Sequence, residues 1–596
     1  MSRRHSRTVL SSPPLSLAAA ALLIAIVVIP AYFNIQSSTS FEPDKSALLR
    51  SLLVIALAAM LPEAVQRLRS GIKPNWSGIR LPVALLAAGV AAIALSSLLG
   101  VDFVTSFWGN YERGYGLLSV LTGVIVVVVA YRMARSGQQW LLIDAVLLAA
   151  AAPALYALAQ IVGYDPVIGQ TVSFELGRRA SATLGNPLFL ANFMLLAIPL
   201  SLARIAIGPP LRAKARALLG AYLVVLVLAL IATQSLTALG AGLTAGAFFM
   251  VAYGVNQDRF WFRIAGLAIL LVGFLLLLAA WIAPQLLPAR LGDIFASGGS
   301  GGQRLLFWEA ILRLFQQEPR WLLTGLGPDA LSLKIAPYLS PQIAHFEVDW
   351  VFRLPDRAHT LALDLLSAGG VLALSLWLLF WIALVARLLP VFPNRPGVSF
   401  AILAGGTIGG ATLGGFVGLA AIPVGLTVGF LGGVLLLLWL GPTASGAQSR
   451  LAASSPYLLA ALVGHWVYLA FGFATHAPDL LVWVIIGLIL GWPLVWAGKT
   501  TRQTKTSPEK TTPALHFLLA GIAFAAFAFS VSAAWPVSLP LWLGVSALLL
   551  ALAFVLSPGR DRDQWLLAFV PTLALTPALI LNRTVGLPAW LAYTWL

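Results

Sequence analysis

The chain has 596 residues, of which 60% are hydrophobic and 10% charged, with a mean hydropathy of +0.91; soluble domains carry about 25% charged residues, so a soluble fold is excluded. Cysteine is absent, which removes disulfides, thiolate catalysis and cysteine-based metal sites. The net charge of +16 is spread over short segments between apolar runs, the positive-inside pattern, and no basic patch interleaved with aromatics exists to bind nucleic acid.

Apolar runs long enough to cross a bilayer start at 15–33 and 47–62. The first is too long, and too well followed by others, to be a cleaved signal peptide. After the run 81–101 comes the polar segment 102–117, DFVTSFWGNYERGYGL. The runs 114–131 and 139–162 lead to a second polar segment, 163–187, GYDPVIGQTVSFELGRRASATLGNP. Next come 184–203, 217–235, the turn TQSLTALG at 233–240, 237–256 and 264–287, and then the long loop 288–358. The remaining runs are 360–386, 398–419, 422–441, 453–475, 479–498, 515–535, 538–556 and 564–582. The expected fold is therefore all-α: a polytopic transmembrane helix bundle of about 14–17 spans, with one large external loop containing amphipathic helices. Three parts are expected: a main body over 1–498 with the external loop 288–358, a Thr- and Lys-rich cytoplasmic linker over 499–514, and a C-terminal transmembrane extension over 515–596.

With the N-terminus inside, most of the 37 Lys and Arg fall in inner segments, among them Arg67, Arg132, Arg204, Arg259, Arg387 and Lys499. The four polar segments then lie on the outer side, and their charges are the candidates for chemistry. Arg178 and Arg179 stand where positive charge is disfavoured. Guanidinium matches phosphate oxygens through paired donors, which argues for phosphate binding; the plainer reading is pairing with Glu175 or lipid headgroups. Asn186–Pro187 opens the next helix.

In the long loop, Leu305, Trp308, Ile311, Leu312 and Phe315 repeat at helical spacing, with Arg304, Arg313, Gln316 and Gln317 between them, so an amphipathic interfacial helix is expected. The glycine-rich lead Ser297–Gly302 ends at Arg304; it reads either as an anion-attracting helix start or as a flexible linker. TGLGPD, 324–329, is a turn. Glu347 and Asp349 alone are weak evidence for a metal, and no metal or cofactor is expected. At 355–370, PDRAHTLALDLLSAGG gathers Asp356, Arg357 and His359 where the loop meets an apolar helix. Two readings stand: a site for an anionic, lipid-borne substrate, or interfacial anchoring. Asp356 orients His359 or pairs with Arg357. His465, His476 and His516 read as packed residues, Asp144 as a helix-packing hydrogen bond, and GGTIGGATLGGFVG, 405–418, as a close helix contact.

The order of these motifs resembles the O-antigen ligase and O-antigen polymerase superfamily of polytopic membrane glycosyltransferases. The carriers of the resemblance are RRASATLGNPLFLANF at 178–193, RLLFWEAILRLFQQEPRWLLTGLGPD at 304–329 and DRAHTLALDLLSAGG at 356–370, with FWGNYERGYGLLS at 107–119 and GYDP at 163–166. Leu188 stands where the family often has Asn, Thr360 replaces the usual Asn after His359, and Leu236 replaces an Arg that often follows Ser.

The resemblance implies transfer of a glycan from a polyprenyl diphosphate carrier to a lipid, glycan or protein acceptor, metal-independent and inverting, at the extracytoplasmic face of the cytoplasmic membrane. It implies that Arg179 or Arg178, together with Arg304, holds the diphosphate and that His359 orients or deprotonates the acceptor hydroxyl; Arg357 and Asp356, beside His359 in the sequence, are the further substrate-binding candidates. Ligase, polymerase and protein O-oligosaccharyltransferase forms are not separated by these motifs. A transporter or flippase of lipid-linked glycans is the alternative of a different class; it would show repeated halves and polar or broken spans, and the spans here are nearly charge-free without a visible repeat.

Overall fold

The computed structural model describes residues 15–71, 78–167, 179–292, 300–346, 354–389, 391–392, 395–440, 450–492, 513–534 and 537–557. Arg178, Glu347, Asp349, Arg353, residues 499–512 of the linker and the run 564–582 lie outside the described residues. The rest is all helix and turn. In chain order the helices are α1 (Leu17–Ala31), α2 (Glu42–Arg69), α3 (Arg80–Leu99), α4 (Phe103–Trp108), α5 (Leu117–Arg135), α6 (Gln139–Ile161), α7 (Pro187–Ala206), α8 (Ala213–Ala232), α9 (Leu236–Asn256) and α10 (Phe260–Ile282). They continue with α11 (Ser300–Gln317), α12 (Arg320–Thr324), α13 (Leu361–Leu388), α14 (Pro396–Val417), α15 (Ile422–Leu440), α16 (Arg450–Leu469), α17 (His476–Gly491), α18 (Pro513–Val531) and α19 (Leu539–Leu556). Every apolar run read from the sequence up to 538–556 coincides with a helix, and among the described residues 12 helices are long and apolar enough to cross a membrane.

Burial sorts these helices into a core and a rim. The Ala-rich α6 is a central pillar: Leu142, Ala145, Val146, Ala150 and Ala154 are all fully buried. Small side chains let neighbouring backbones approach from every side. α1 lies against α6 and is buried along most of its length. α10 is the opposite case. It packs mainly on α9 and leaves Leu271, Phe274 and Leu277 exposed, as a lipid-facing helix does. α14 and α15 form the expected close pair: a Cβ at Gly410 would stand 2.2 Å from the Gly425 carbonyl oxygen. α13 is broken at Gly369 and Gly370, where the backbone leaves helical geometry.

The described C-terminal helices are built into this bundle. α18 packs on α1 and α6, and α19 on α6 and α8. Asp144 on α6 accepts from Arg204 Nε (2.6 Å) and lies 3.0 Å from His516 Nε2 on α18. Asp144 and His516 are thus packing groups, as their sequence setting implies. His465 likewise pairs with Asn192 (2.9 Å) between α16 and α7.

Candidate functional site

One end of the bundle gathers the loops before α5, α7, α13 and α17. Its keystone is the TGLGPD turn. Gly325 (φ +76°) and Gly327 (φ +97°) adopt left-handed backbone that glycine alone takes without strain. They let Leu326 thread between two helices: Val101 N at the end of α3 donates to Leu326 O (2.8 Å), and Leu326 N donates to Ser367 O beside the break in α13 (2.7 Å). A Cβ at Gly327 would meet Ser106 Oγ at 2.1 Å. The turn delivers Asp329, whose carboxylate is wholly buried. It accepts from Asn110 N (3.0 Å) and Tyr115 N (2.7 Å) and pairs with the Arg357 guanidinium.

That pairing decides what Arg357 does. It is spoken for by Asp329 and covers the Tyr115 ring at 5.3 Å. Burial lowers its proton affinity, but Asp329 and the other nearby carboxylates outweigh this and hold it above the usual guanidinium range. Asp356 binds Arg113 Nε at 2.7 Å, so its hydrogen-bonded partner is Arg113, while Arg357 and His359 act on it only through charge. Burial pushes the Asp356 carboxyl up, and Arg113 and Arg357 reverse this, leaving it below the ordinary carboxylate value.

His359 sits between Asp356 and the first turn of α13, with φ at +56°. Its neighbours fix it there. Ala358 N donates to Asp364 Oδ1 (2.7 Å), and Trp308 Nε1 on the amphipathic α11 donates to Ala358 O (2.7 Å). The imidazole stacks on Phe307 with ring centres 6.0 Å apart and meets the edge of Phe473 at 5.0 Å. Burial, and then the Arg304 charge, push its pKa down to about 4, so the ring is neutral near pH 7. Arg304, one turn into α11, is partly buried next to it, and burial lowers its proton affinity as well. Among the described residues neither the Arg304 guanidinium nor the His359 ring nitrogens have a hydrogen-bond partner.

Arg179 is held by a separate set of contacts. Asp165 of GYDP accepts from Tyr156 Oη (2.6 Å) and Gln160 Nε2 (2.8 Å), and Gln160 Oε1 in turn accepts from Ser181 N and Ala182 N. The loop is thereby pinned to the end of α6, and Arg179 Nε donates to Thr233 O (3.1 Å) at the α8–α9 turn. Asn186 caps α7 by accepting from Leu188 N (2.8 Å). One turn on, Phe189 meets Phe473 edge to face at 5.3 Å. Phe473 therefore links the 179–193 motif to His359, and it also carries the Arg113 guanidinium at 4.9 Å.

The sequence reading missed Asp329, Arg113 and Phe473. Their roles depend on segments far apart in the chain, and the one available signal was that 107–119 and TGLGPD both belong to the motif set. Deeper in the bundle, Tyr115 bonds to Asp479, and burial followed by that carboxylate raises the phenol well above its normal value. His476 is held by Glu42 (2.9 Å), as a packed residue. Among the described residues no group of three His, Asp or Glu stands close enough to hold a metal ion.

Residues 221–378 match the protein family described as O-antigen ligase. The matched segment runs from α8 through the break in α13 and contains Arg304, Asp329 and His359; Arg113 and Arg179 lie outside it. No curated protein matches the chain. The match supports the resemblance to the O-antigen ligase and polymerase superfamily over that segment, and the apolar helices fit an integral membrane protein.

Proposed function

We propose that this protein is a membrane glycosyltransferase that moves a glycan from a polyprenyl diphosphate carrier to an acceptor hydroxyl, at the extracytoplasmic face of the cytoplasmic membrane. The observation that carries the reading is the Arg304 guanidinium beside a neutral His359, neither of which has a hydrogen-bond or ion-pair partner among the described residues. In a chain with only 10% charged residues, a partly buried cation with no counter-ion among the described residues stands ready for an anionic ligand. A diphosphate bound to Arg304 is a good leaving group because its developing charge is stabilised by a fixed donor. His359 takes the proton of the acceptor hydroxyl as that oxygen attacks the anomeric carbon and the carbon–oxygen bond to the diphosphate breaks. Direct displacement inverts the anomeric centre. The bound diphosphate also offsets the charges that depress His359, so the base strengthens when the donor is in place. Arg179, with Arg178 beside it in sequence, contributes to diphosphate binding from the α7 side. Arg357 and Asp356 hold the 354–360 segment that presents the imidazole.

The test is conversion of labelled polyprenyl diphosphate glycan by the purified protein in detergent, where no transport compartment exists. His359→Ala and Arg304→Ala should each reduce turnover at least 100-fold at unchanged protein yield, since each removes a group acting on charge or proton in the transition state. Movement of such lipids across vesicles without any conversion would replace the enzyme by a flippase. Deletion in the native host, followed by glycan sizing, separates the subclasses: single repeat units on the acceptor mark a polymerase, and a bare acceptor marks a ligase.

A further inference from the structure

The loop between α4 and α5, residues 109–116, is held more firmly than a connection requires. Asp329 accepts from its backbone on both sides of the tip, at Asn110 N (3.0 Å) and Tyr115 N (2.7 Å). Arg50 on α2 donates to the Trp108 carbonyl (2.9 Å) and to that of Gly114, which turns the chain back at φ +62°. Arg113 N donates to Asn110 Oδ1 (2.8 Å), which closes the tip. These bonds fix one long side chain. Arg113 extends to the His359 group, with Nε on Asp356 Oδ2 (2.7 Å) and its guanidinium 4.9 Å from the centre of the Phe473 ring, which touches His359. Its two terminal amino groups have no partner among the described residues, and the side chain keeps 25% of its exposure. A guanidinium has five donors in a rigid fork, so with Nε occupied one edge remains open.

Resting on the reading above, we propose that Arg113 is a second donor-binding residue: its free edge takes the diphosphate of the carrier lipid opposite Arg304, while Asp356 orients the fork from behind. A fixed guanidinium needs no rearrangement when the anion arrives, which is the condition for strong charge stabilisation. Asp356 also moderates the site. Its negative charge holds Arg113 in place when no donor is bound and opposes the anion when one arrives.

Binding of undecaprenyl diphosphate to the full-length protein in detergent, followed by intrinsic tryptophan fluorescence without acceptor, tests this. Inorganic pyrophosphate serves as a competitor and phosphatidylglycerol as a headgroup control. Arg113→Ala should weaken binding roughly 10- to 100-fold, the span of one or two charge-assisted hydrogen bonds, and Arg113→Lys by less. Asp356→Asn should change affinity less than Arg113→Ala, because it removes the orienting carboxylate and the charge opposing the anion together, and pyrophosphate should compete where phosphatidylglycerol does not. Unchanged affinity in Arg113→Ala, with affinity lost in Arg304→Ala, overturns this role for Arg113 and leaves the transferase reading standing. Unchanged affinity in both variants sinks the diphosphate site itself. Weakening in Asp356→Asn as large as in Arg113→Ala shows that the pair is structural, and equal competition by phosphatidylglycerol assigns the site to membrane headgroups. If Arg113→Ala fails to fold, Arg113→Lys decides: parent affinity there, with its altered fork geometry, counts against a direct contact.

Discussion

At the scale of single residues, His359 sets the expected pH behaviour. Its pKa, pushed down to about 4 by burial and Arg304, lies below the ordinary histidine value, so the imidazole is the neutral, proton-accepting form at every pH above that. The sign follows: lowering the pH from 8 to 5 removes no base from the free enzyme, and kcat/KM at limiting donor should stay level on this account, falling only as pH approaches about 4. A bound diphosphate raises the imidazole pKa, so the acid limb of kcat should lie at higher pH than that of kcat/KM. Paired pH profiles at limiting and saturating donor check this. Coincident acid limbs near pH 6.5, the ordinary histidine value, would mean that the depressed base plays no part. His359 and Arg304 were legible in the sequence because charge is rare in this chain and because they fall in motifs. Asp329 was not, since in the sequence it only ends a turn. Its meaning comes from donors at Asn110, Tyr115 and Arg357, which no local pattern connects.

Among the secondary-structure elements, hydropathy made nearly every helix legible, since a bilayer-spanning run must be apolar whatever it packs against. The amphipathic α11 was equally plain from its spacing, with Trp308 and Ile311 buried and Glu309 turned out. The break in α13 was not placed, although LLSAGG carries both glycines. Whether such a pair bends a helix depends on what enters the gap, and here it is the backbone of Gly325 and Leu326. Gly370 has φ +66°, and a Cβ on it would stand 2.2 Å from the Leu323 carbonyl oxygen. Gly370→Ala should therefore cost about 1–3 kcal/mol through left-handed strain alone, with the clash in addition. It should also shift the TGLGPD turn, so activity falls further than stability. Thermal unfolding together with turnover measures the two effects; an unchanged midpoint would show that the break is not rigid.

Considered whole, the bundle gives the last segment a structural reason that the sequence did not disclose. Hydropathy set 515–596 apart behind a polar linker, yet α18 covers α1 and α6, His516 reaches Asp144, and Ser530 Oγ accepts from Phe33 N (2.8 Å) just past the end of α1. α1 is only 15 residues long, about 22 Å, and is tolerated because protein surrounds it. Thr183 Oγ1 donates to the Pro30 carbonyl (2.5 Å), so the end of α1 also supports the loop that carries Arg179. Truncation after residue 498 should lower the unfolding midpoint and the yield of folded protein. His516→Ala in the full chain should cost about 1–3 kcal/mol by leaving a buried carboxylate oxygen without its partner. A truncated chain with parental midpoint and turnover would make the segment an appendage.

The reach of Asp329 across the chain has a consequence for biogenesis. The carboxylate that anchors Asn110 and Tyr115 is synthesised more than two hundred residues after them. While the ribosome is still adding α6 to α10, the Arg113 loop has already been delivered without its anchor. A nascent chain halted before Asp329 therefore carries six membrane-length helices, α5 to α10, beyond that loop and still has no anchor for it, so the proposed donor site can form only late in translation and all at once.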